Sequence, residues 1–216
     1  MKILLTGFEP NDDGLNASEI VVRSLNDDLP TLLRKYHHDI HCKIMPGDTY
    51  ALSQVVDETL SQDSPDIYLG IGQARGYNRI ALERMAKNLR YFVTPDRAGN
   101  TPKGEPIVPN APLAYLSSLP VQSGLVSRLE QHLIPARIAN DCGTHLCNQV
   151  FYQVLHWSAL QRPEMRVGFV HIPILPEQVI QQWPDSPFMP LEMTRTAIAL
   201  ILDHHISNDR STTALD

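Results

Sequence analysis

Three side chains in this sequence carry the chemistry of a covalent hydrolase, and they lie far apart along the chain. Cys147 stands in DCGTHLCNQVFYQVLH, residues 141–156, where a turn gives way to a helical pattern predicted to begin near Gly143. In the first turns of a helix, unpaired backbone N–H groups and the positive dipole end favour a thiolate. His171 closes the apolar run VGFVHIPILP, where core residues give way to a Pro-containing loop. Glu83 is an acid among apolar residues in IALERMAKN. A partly buried carboxylate usually has a partner, and an imidazole is a suitable one. Together they are the parts of a cysteine hydrolase: the thiolate attacks a carbonyl, the imidazole shuttles the proton, and the acid orients the imidazole. Spacing alone leaves the alternative open, namely a packed Cys, a satisfied core His and an ion-paired Glu. Cys142 falls one position before the expected helix start and reads as a structural neighbour.

The elements that would position these groups alternate between strand and helix. KILLTG reads as a buried strand ending at Gly7, DIHCKIMPGD as a second strand and DIYLGIG as a third, buried on both faces. Asn16 with Glu19 has capping-box spacing ahead of SEIVVRSL, and Asp48 caps TYALSQVVDETL. RIALERMAKNLRYFV fits an extended hairpin or a helix equally well. Residues 95–120, rich in Pro, Gly and Asn, read as a long surface excursion that could carry a short edge hairpin. LVSRLEQHL is a helix and ARIAND a strand; THLCNQVFYQVLHW is a helix and RVGFVHI a strand. The final helix covers roughly LEMTRTAIALILDHH, with a disordered tail from Ser207. The fold class is therefore α/β, a three-layer α/β/α sandwich around a central, largely parallel twisted sheet, with residues 1–206 as one domain. In such folds ligands collect beyond the carboxyl ends of strands, here near Gly7, Gly72, Asp141 and His171.

Bulk properties narrow the function classes. The 216 residues carry a formal net charge of −6, which argues against a nucleic-acid surface, for which a basic stripe is expected. No apolar stretch approaches membrane-spanning length and no signal peptide is recognisable; with three Cys, this points to a soluble cytoplasmic protein. HHDIHC at 37–42 invites a metal reading, but neighbours along an extended segment point to opposite faces, so no metal is expected. His204 and His205 are read as ending the last helix, where positive charge is favourable. LTGFEPNDDG lacks a phosphate-binding Gly pattern and its acids would repel phosphate, which disfavours a nucleotide-binding module. Trp183 and Phe188, in a Pro-rich stretch, read as a packed loop, with a pocket cap or a subunit contact as alternatives.

Four blocks, in order, resemble the pyroglutamyl peptidase I family of cytosolic cysteine peptidases, also called pyrrolidone carboxyl peptidases. They are LLTGFEP with NAS at 16–18, GIGQARGYNRIALERMAKN at 70–88, CGTHLCNQVFY at 142–152 and GFVHIPILPEQV at 168–179. The resemblance implies Cys147 as nucleophile, His171 as general base and acid, and Glu83 as the residue orienting it. It implies that Gln73 and Phe8 line the substrate pocket, and that no metal or organic cofactor is used. The reaction implied is removal of an N-terminal 5-oxoproline from a small peptide or amide through a thioester acyl-enzyme, in a homo-oligomer, commonly a tetramer.

The sequence departs from the family around the pocket. Asn11, Asp12 and Asp13 replace Phe-Gly-Gly; Thr94 replaces an aliphatic residue; His145, followed by Leu146, replaces an aromatic just before the nucleophile. Val93 stands where the family has an arginine, for which Arg90 or Arg97 is near enough to substitute. In a pocket that includes Val93 and Leu146, the side chains of Asn11, Thr94 and His145 offer hydrogen bonds where the family offers apolar groups. Unpaired buried polar groups select against an apolar ligand, so the alternative is a related amidase acting on a different small cyclic or polar acyl group.

Overall fold

The computed structural model describes residues 1–10, 14–36 and 38–213; of residues 208–213 only the backbone is considered. The apolar runs form strands β1 (Lys2–Phe8), β2 (Asp39–Met45) and β3 (Ile67–Gln73), with β4 (Ile80–Glu83), β9 (Ala136–Ala139) and β10 (Arg166–Ile172) completing a six-stranded sheet. Its order is β2-β1-β3-β10-β4-β9. The strands β2, β1, β3 and β10 are mutually parallel; β4 runs antiparallel to β10 and carries β9 parallel to itself. The sheet is thus largely parallel, with its reversal at the β10–β4 boundary.

Helices α1 (Ala17–Asp27), α2 (Thr31–Arg34), α4 (Ser123–Gln131) and α7 (Leu191–Thr213) cover one face. Val21, Leu25, Leu129 and Ile198 pack there against Ile3, Leu5 and Ile172. On the other face, α3 (Thr49–Asp63) and α5 (Leu146–Gln161) bury Leu52, Val56, Val150 and Phe151 against Leu4, Tyr68 and Phe169. The short helix α6 (Pro176–Gln181) follows β10. Two of the expected caps are present: the Asn16 carboxamide accepts from Ser18 N, and the Asp48 carboxylate from Tyr50 N and Ala51 N. Glu19 pairs instead with Arg23, one turn on.

Several expectations change. The ambiguous segment after Asn78 is extended: β4 is followed by β5 (Met85–Lys87) and β6 (Arg90–Tyr91). The excursion carries β7 (Lys103–Glu105) and β8 (Ala114–Leu116), which pair back onto β6 and β5 as two antiparallel ribbons rather than with each other. Helix α5 starts at Leu146, three residues later than expected, because Gly143 takes a left-handed φ of 78° that an α-helix cannot include. His204 and His205 do not end a helix, since α7 continues to Thr213, past Ser207 where the sequence starts a tail; residues 214–216 lie outside the described set. His205 is buried, and that burial, with His204 and Arg166 nearby, pushes its pKa down to about 3. It therefore contributes no positive charge to a helix end.

Candidate active site

Register brings two of the three groups together. On β10, His171 lies opposite Gly72 of β3 on one side and Ala81 of β4 on the other, while Phe169 lies opposite Glu83. Glu83 and His171 are therefore diagonal neighbours on one sheet face, a separation that long side chains span. The His171 Nδ1 to Glu83 Oε1 distance is 2.8 Å, with both side chains buried. Glu83 Oε2 is also buried and has no partner among the described residues.

Helix α5 delivers the sulfur from above the same face. Asn148 and Gln149, both fully buried, fix its first turn. The Asn148 carboxamide accepts from Lys87 N and donates to Lys87 O and Leu89 O, while Gln149 Nε2 donates to Thr49 O at 2.6 Å. These bonds tie the helix start to β5 and α3. Cys147, the second helical residue, then projects toward β3, where Gly72 has no side chain. A Cβ built at Gly72 would stand 2.7 Å from the Cys147 sulfur, so the glycine is what makes room for it. The sulfur and the His171 ring border the same cavity, close enough for their charges to interact. Because Nδ1 is engaged by Glu83, Nε2 is the ring atom left for the sulfur.

The charge balance at His171 follows from three neighbours. Burial opposes a charged ring, but the neighbouring Cys147 sulfur and the Glu83 carboxylate favour one and together lift the imidazole to about 10. The surroundings thus favour the protonated ring, with Glu83 on one side and the Cys147 sulfur on the other. Cys142 has the opposite situation. Its thiol is buried and pushed well above the ordinary range by that burial and by the negative charge of Cys147, Glu83 and Asp141. A Glu83 oxygen, the Cys142 sulfur and a His171 nitrogen lie within 4.8 Å of one another, a spacing a metal ion could use. The donor set fits one poorly: Glu83 Oε1 is held by His171, and a protonated thiol is a weak ligand. Of the HHDIHC residues, His37 lies outside the described set; His41 bonds Asp39 at 2.8 Å, and Cys42, next along β2, faces the opposite way.

A cavity of about 250 Å³ opens beside the sulfur, lined by Cys147, Cys142 and His171 on one side and by Phe8, Gln73, His145 and Leu146 on the other. Gln73 Oε1 accepts from Ala17 N and from Gln178 Nε2, each at 2.7 Å, so the amide is locked with its NH₂ group left to donate. Four of the seven pocket residues expected from sequence are therefore in the lining. Val93 and Thr94 are not: Val93 is 83% exposed, and the Thr94 backbone oxygen accepts from His145 Nε2 at 3.2 Å. Asn11, with Asp12 and Asp13, lies outside the described residues. Neither arginine offered as a substitute reaches the cavity. Arg90 is spent on Gln149, Ser53 and Ile107 O, and Arg97 pairs with Glu9 and bonds Pro10 O. Sequence reasoning took Asn16 only as a cap, but it also lines the cavity; the NAS block beside GFEP was the available signal. The positioning amides Asn148 and Gln149 were passed over as well. Two amides directly after a candidate nucleophile on an apolar helix were the clue. Trp183 and Phe188 stand away from the lining: Trp183 lies under the Arg75 guanidinium and Phe188 is half exposed.

A cysteine sulfur, an imidazole and a buried carboxylate beside a small pocket are the groups that acyl transfer needs, and known proteins share both sequence and fold with this chain. The pyroglutamyl peptidase family model matches residues 1–207. The pyrrolidone-carboxylate peptidase of Pyrococcus furiosus is 35% identical over 94% of this chain and 99% of its own length, and that of Brevibacillus brevis 37% over 96% and 94%. A variant of the Pyrococcus furiosus pyrrolidone carboxyl peptidase superimposes with a TM-score of 0.88 at 32% identity, covering 96% of this chain and 99% of that one. Pyroglutamyl peptidase I of Bacillus amyloliquefaciens gives 0.83 at 33% identity, covering 93% and 94%. With a sulfur, an imidazole and a carboxylate gathered over one sheet face, and with likeness running through nearly the whole chain, the protein belongs to the pyroglutamyl peptidase family of cysteine peptidases.

Proposed function

We propose that this protein removes an N-terminal 5-oxoprolyl residue from small peptides by cleaving the amide that follows it, with Cys147 as nucleophile, His171 as proton carrier and Glu83 as its orienting group. One observation carries the reading: the His171 ring, bonded to Glu83, borders with Cys147 a cavity into which Gln73 offers an amide donor. The lactam carbonyl is the acceptor that this donor matches, and Phe8 and Leu146 supply apolar walls for the ring.

The Cys147 thiolate adds to the carbonyl carbon that precedes the scissile nitrogen. Developing negative charge on the oxygen is met by N–H groups of the first turn of α5, which have no intrahelical partner. Collapse breaks the C–N bond; His171 gives its Nε2 proton to the departing amine, leaving a thioester and a neutral imidazole. With the sulfur acylated, one of the anionic neighbours that held the proton on His171 is gone, so the ring can now act as base. It takes a proton from water, the resulting hydroxide attacks the thioester, and 5-oxoproline leaves as thiolate and imidazolium are restored. Every step balances on these groups, so the chemistry calls for no metal or organic cofactor.

The alternative amidase reading rests on polar replacements in the pocket, and their positions weaken it. His145 stacks on Phe92 with ring centroids 3.9 Å apart and spends its Nε2 on Thr94 O. A satisfied polar group does not penalise an apolar ligand. Residues 1–206 act as one catalytic unit in this reading. A reactive thiol suits the reducing cytoplasm, and no helix among the described residues is long and apolar enough to cross a membrane. Homo-oligomeric assembly is supported by large apolar side chains standing in solvent around the ribbons, Leu113 at 87% and Leu116 at 67% exposure, and light scattering tests it. The deciding assay is turnover of a fluorogenic 5-oxoprolyl amide under reducing conditions, abolished in Cys147→Ser. Absence of turnover with selective alkylation of Cys147 would instead favour the amidase.

A further inference from the structure

A second, larger cavity of about 470 Å³ lies on the other side of the catalytic histidine. It shares Cys142 and His171 with the smaller one, but Cys147 and Gln73 belong only to the smaller. Its remaining walls come from the Tyr77 loop, from Arg137 on β9, and from Asn140 and Asp141 beyond that strand. If the acyl group occupies the cavity beside Cys147 and the amine leaves by taking a proton from His171, the chain after the scissile bond must pass His171 into this second space. That step rests on the 5-oxoprolyl reading above.

Its charges are not balanced. Asp141 is paired with Lys87 at 2.7 Å and also accepts from Gly143 N, so its charge is met locally. Glu83 is engaged by the His171 ring. Arg137 forms no ion pair among the described residues. The residue is half-buried, with its guanidinium stacked 4.6 Å from the Tyr77 ring centroid, while Tyr77 in turn sits edge-on to His171, with centroids 6.0 Å apart. Stacking orients the guanidinium plane and leaves its N–H edge for a planar anion. We infer that this cavity is the leaving-group subsite, and that Arg137 within it selects leaving groups bearing a carboxylate: the free C-terminus of a short released product, or an acidic side chain on its first residue.

The test compares kcat/KM for 5-oxoprolyl-alanine, its carboxamide, and 5-oxoprolyl-glutamate carboxamide, with an uncharged fluorogenic 5-oxoprolyl amide run alongside. The expected result is a preference of roughly tenfold for a carboxylate-bearing substrate over the alanine carboxamide, expressed in KM and weakened by salt. The ratio should collapse toward one in Arg137→Gln and be partly kept in Arg137→Lys. Whichever acid is preferred identifies the C-terminus or the side chain as the source. Equal kcat/KM for acid and carboxamide in the unmodified enzyme, with the fluorogenic amide turned over, overturns the inference and leaves the 5-oxoprolyl reading standing. So does a preference that survives in Arg137→Gln. Failure to cleave any of the four substrates overturns both.

Discussion

Cys142 belongs to the loop that leaves β9 and Cys147 to the first turn of α5, and these two segments treat a sulfur in opposite ways although both line the same cavity. The loop buries its thiol, 3% exposed, among groups that carry negative charge, and so keeps it protonated. The helix start holds its sulfur against a ring that Glu83 has already polarised, with unpaired backbone N–H groups around it. Proximity to the imidazole does not distinguish them, since Cys142 is also within 4.8 Å of it. The distinguishing feature is the sign of the nearest uncompensated charge.

That contrast can be broken most severely by exchanging the atoms. Cys147→Ser should lower kcat/KM by roughly 10⁴-fold or more, because a hydroxyl beside an imidazolium is not a nucleophile at neutral pH. Iodoacetamide labelling gives a second readout: the fast-reacting thiol should disappear in this variant. The remaining thiols are both slow, Cys42 because burial, aided by Asp27, pushes it up to about 11. Rapid labelling of Cys142 in Cys147→Ser would reverse the assignment.

Glu83→Gln strikes the shared charge. Losing the group that orients the ring should reduce kcat by about 10²-fold or more. The sign of the accompanying pH effect is fixed. Glu83 favours the charged ring, which sits near 10; without it the ring deprotonates at lower pH, so the alkaline limb of kcat/KM should move toward neutrality. An unmoved alkaline limb in the pH–rate profile would mean that Glu83 acts only through packing.

Gly72→Ala tests the space rather than the charge. The new Cβ would meet the Cys147 sulfur at 2.7 Å, and the sulfur must shift away from His171. A displacement approaching 1 Å costs up to about 10²-fold, so a ten- to hundredfold loss in kcat is expected, with slower iodoacetamide labelling. Alanine at Gly72 with unchanged labelling and turnover would show that the first turn of α5 adjusts freely, contrary to the anchoring of Asn148 and Gln149.

The parts of this site legible in sequence are those fixed by local pattern. The apolar runs of β1, β3 and β10 and the Asp48 cap follow from residue type and immediate neighbours, whereas for Cys147, His171 and Glu83 the same local signals named candidates but left a packed Cys, a satisfied His and an ion-paired Glu open. The illegible parts depend on where a side chain turns after the backbone is set. Arg90 and Arg97 are near the pocket in sequence, yet each is drawn off by distant partners, Gln149 and Glu9. Val93 stands outward at a bend just after β6, and Thr94 contributes only its carbonyl. His204 and His205 looked terminal because the apolar pattern of α7 stops there, while the helix itself does not. The β4–β6 stretch is ambiguous in sequence because its apolar residues satisfy both periods; pairing selects the strand, β4 with β10 and β9, more than fifty residues away, and β5 and β6 with β8 and β7.

The smallest effect is expected for Cys142→Ala, and it is the one that tests whether the loop sulfur matters at all. Alanine removes the buried thiol without adding charge, and the space it leaves lies near the Glu83 carboxylate. If Cys142 is packing, kcat/KM stays within about threefold and stability falls by roughly 1 kcal/mol, readable as a small drop in Tm. Labelling should still show one fast thiol. If instead the thiol helps to hold the Glu83 carboxylate, the alkaline limb of the pH profile should move in the same direction as in Glu83→Gln, by a smaller amount. Measuring both variants on one pH–rate plot therefore separates a sulfur that fills space from one that tunes the acid beside it.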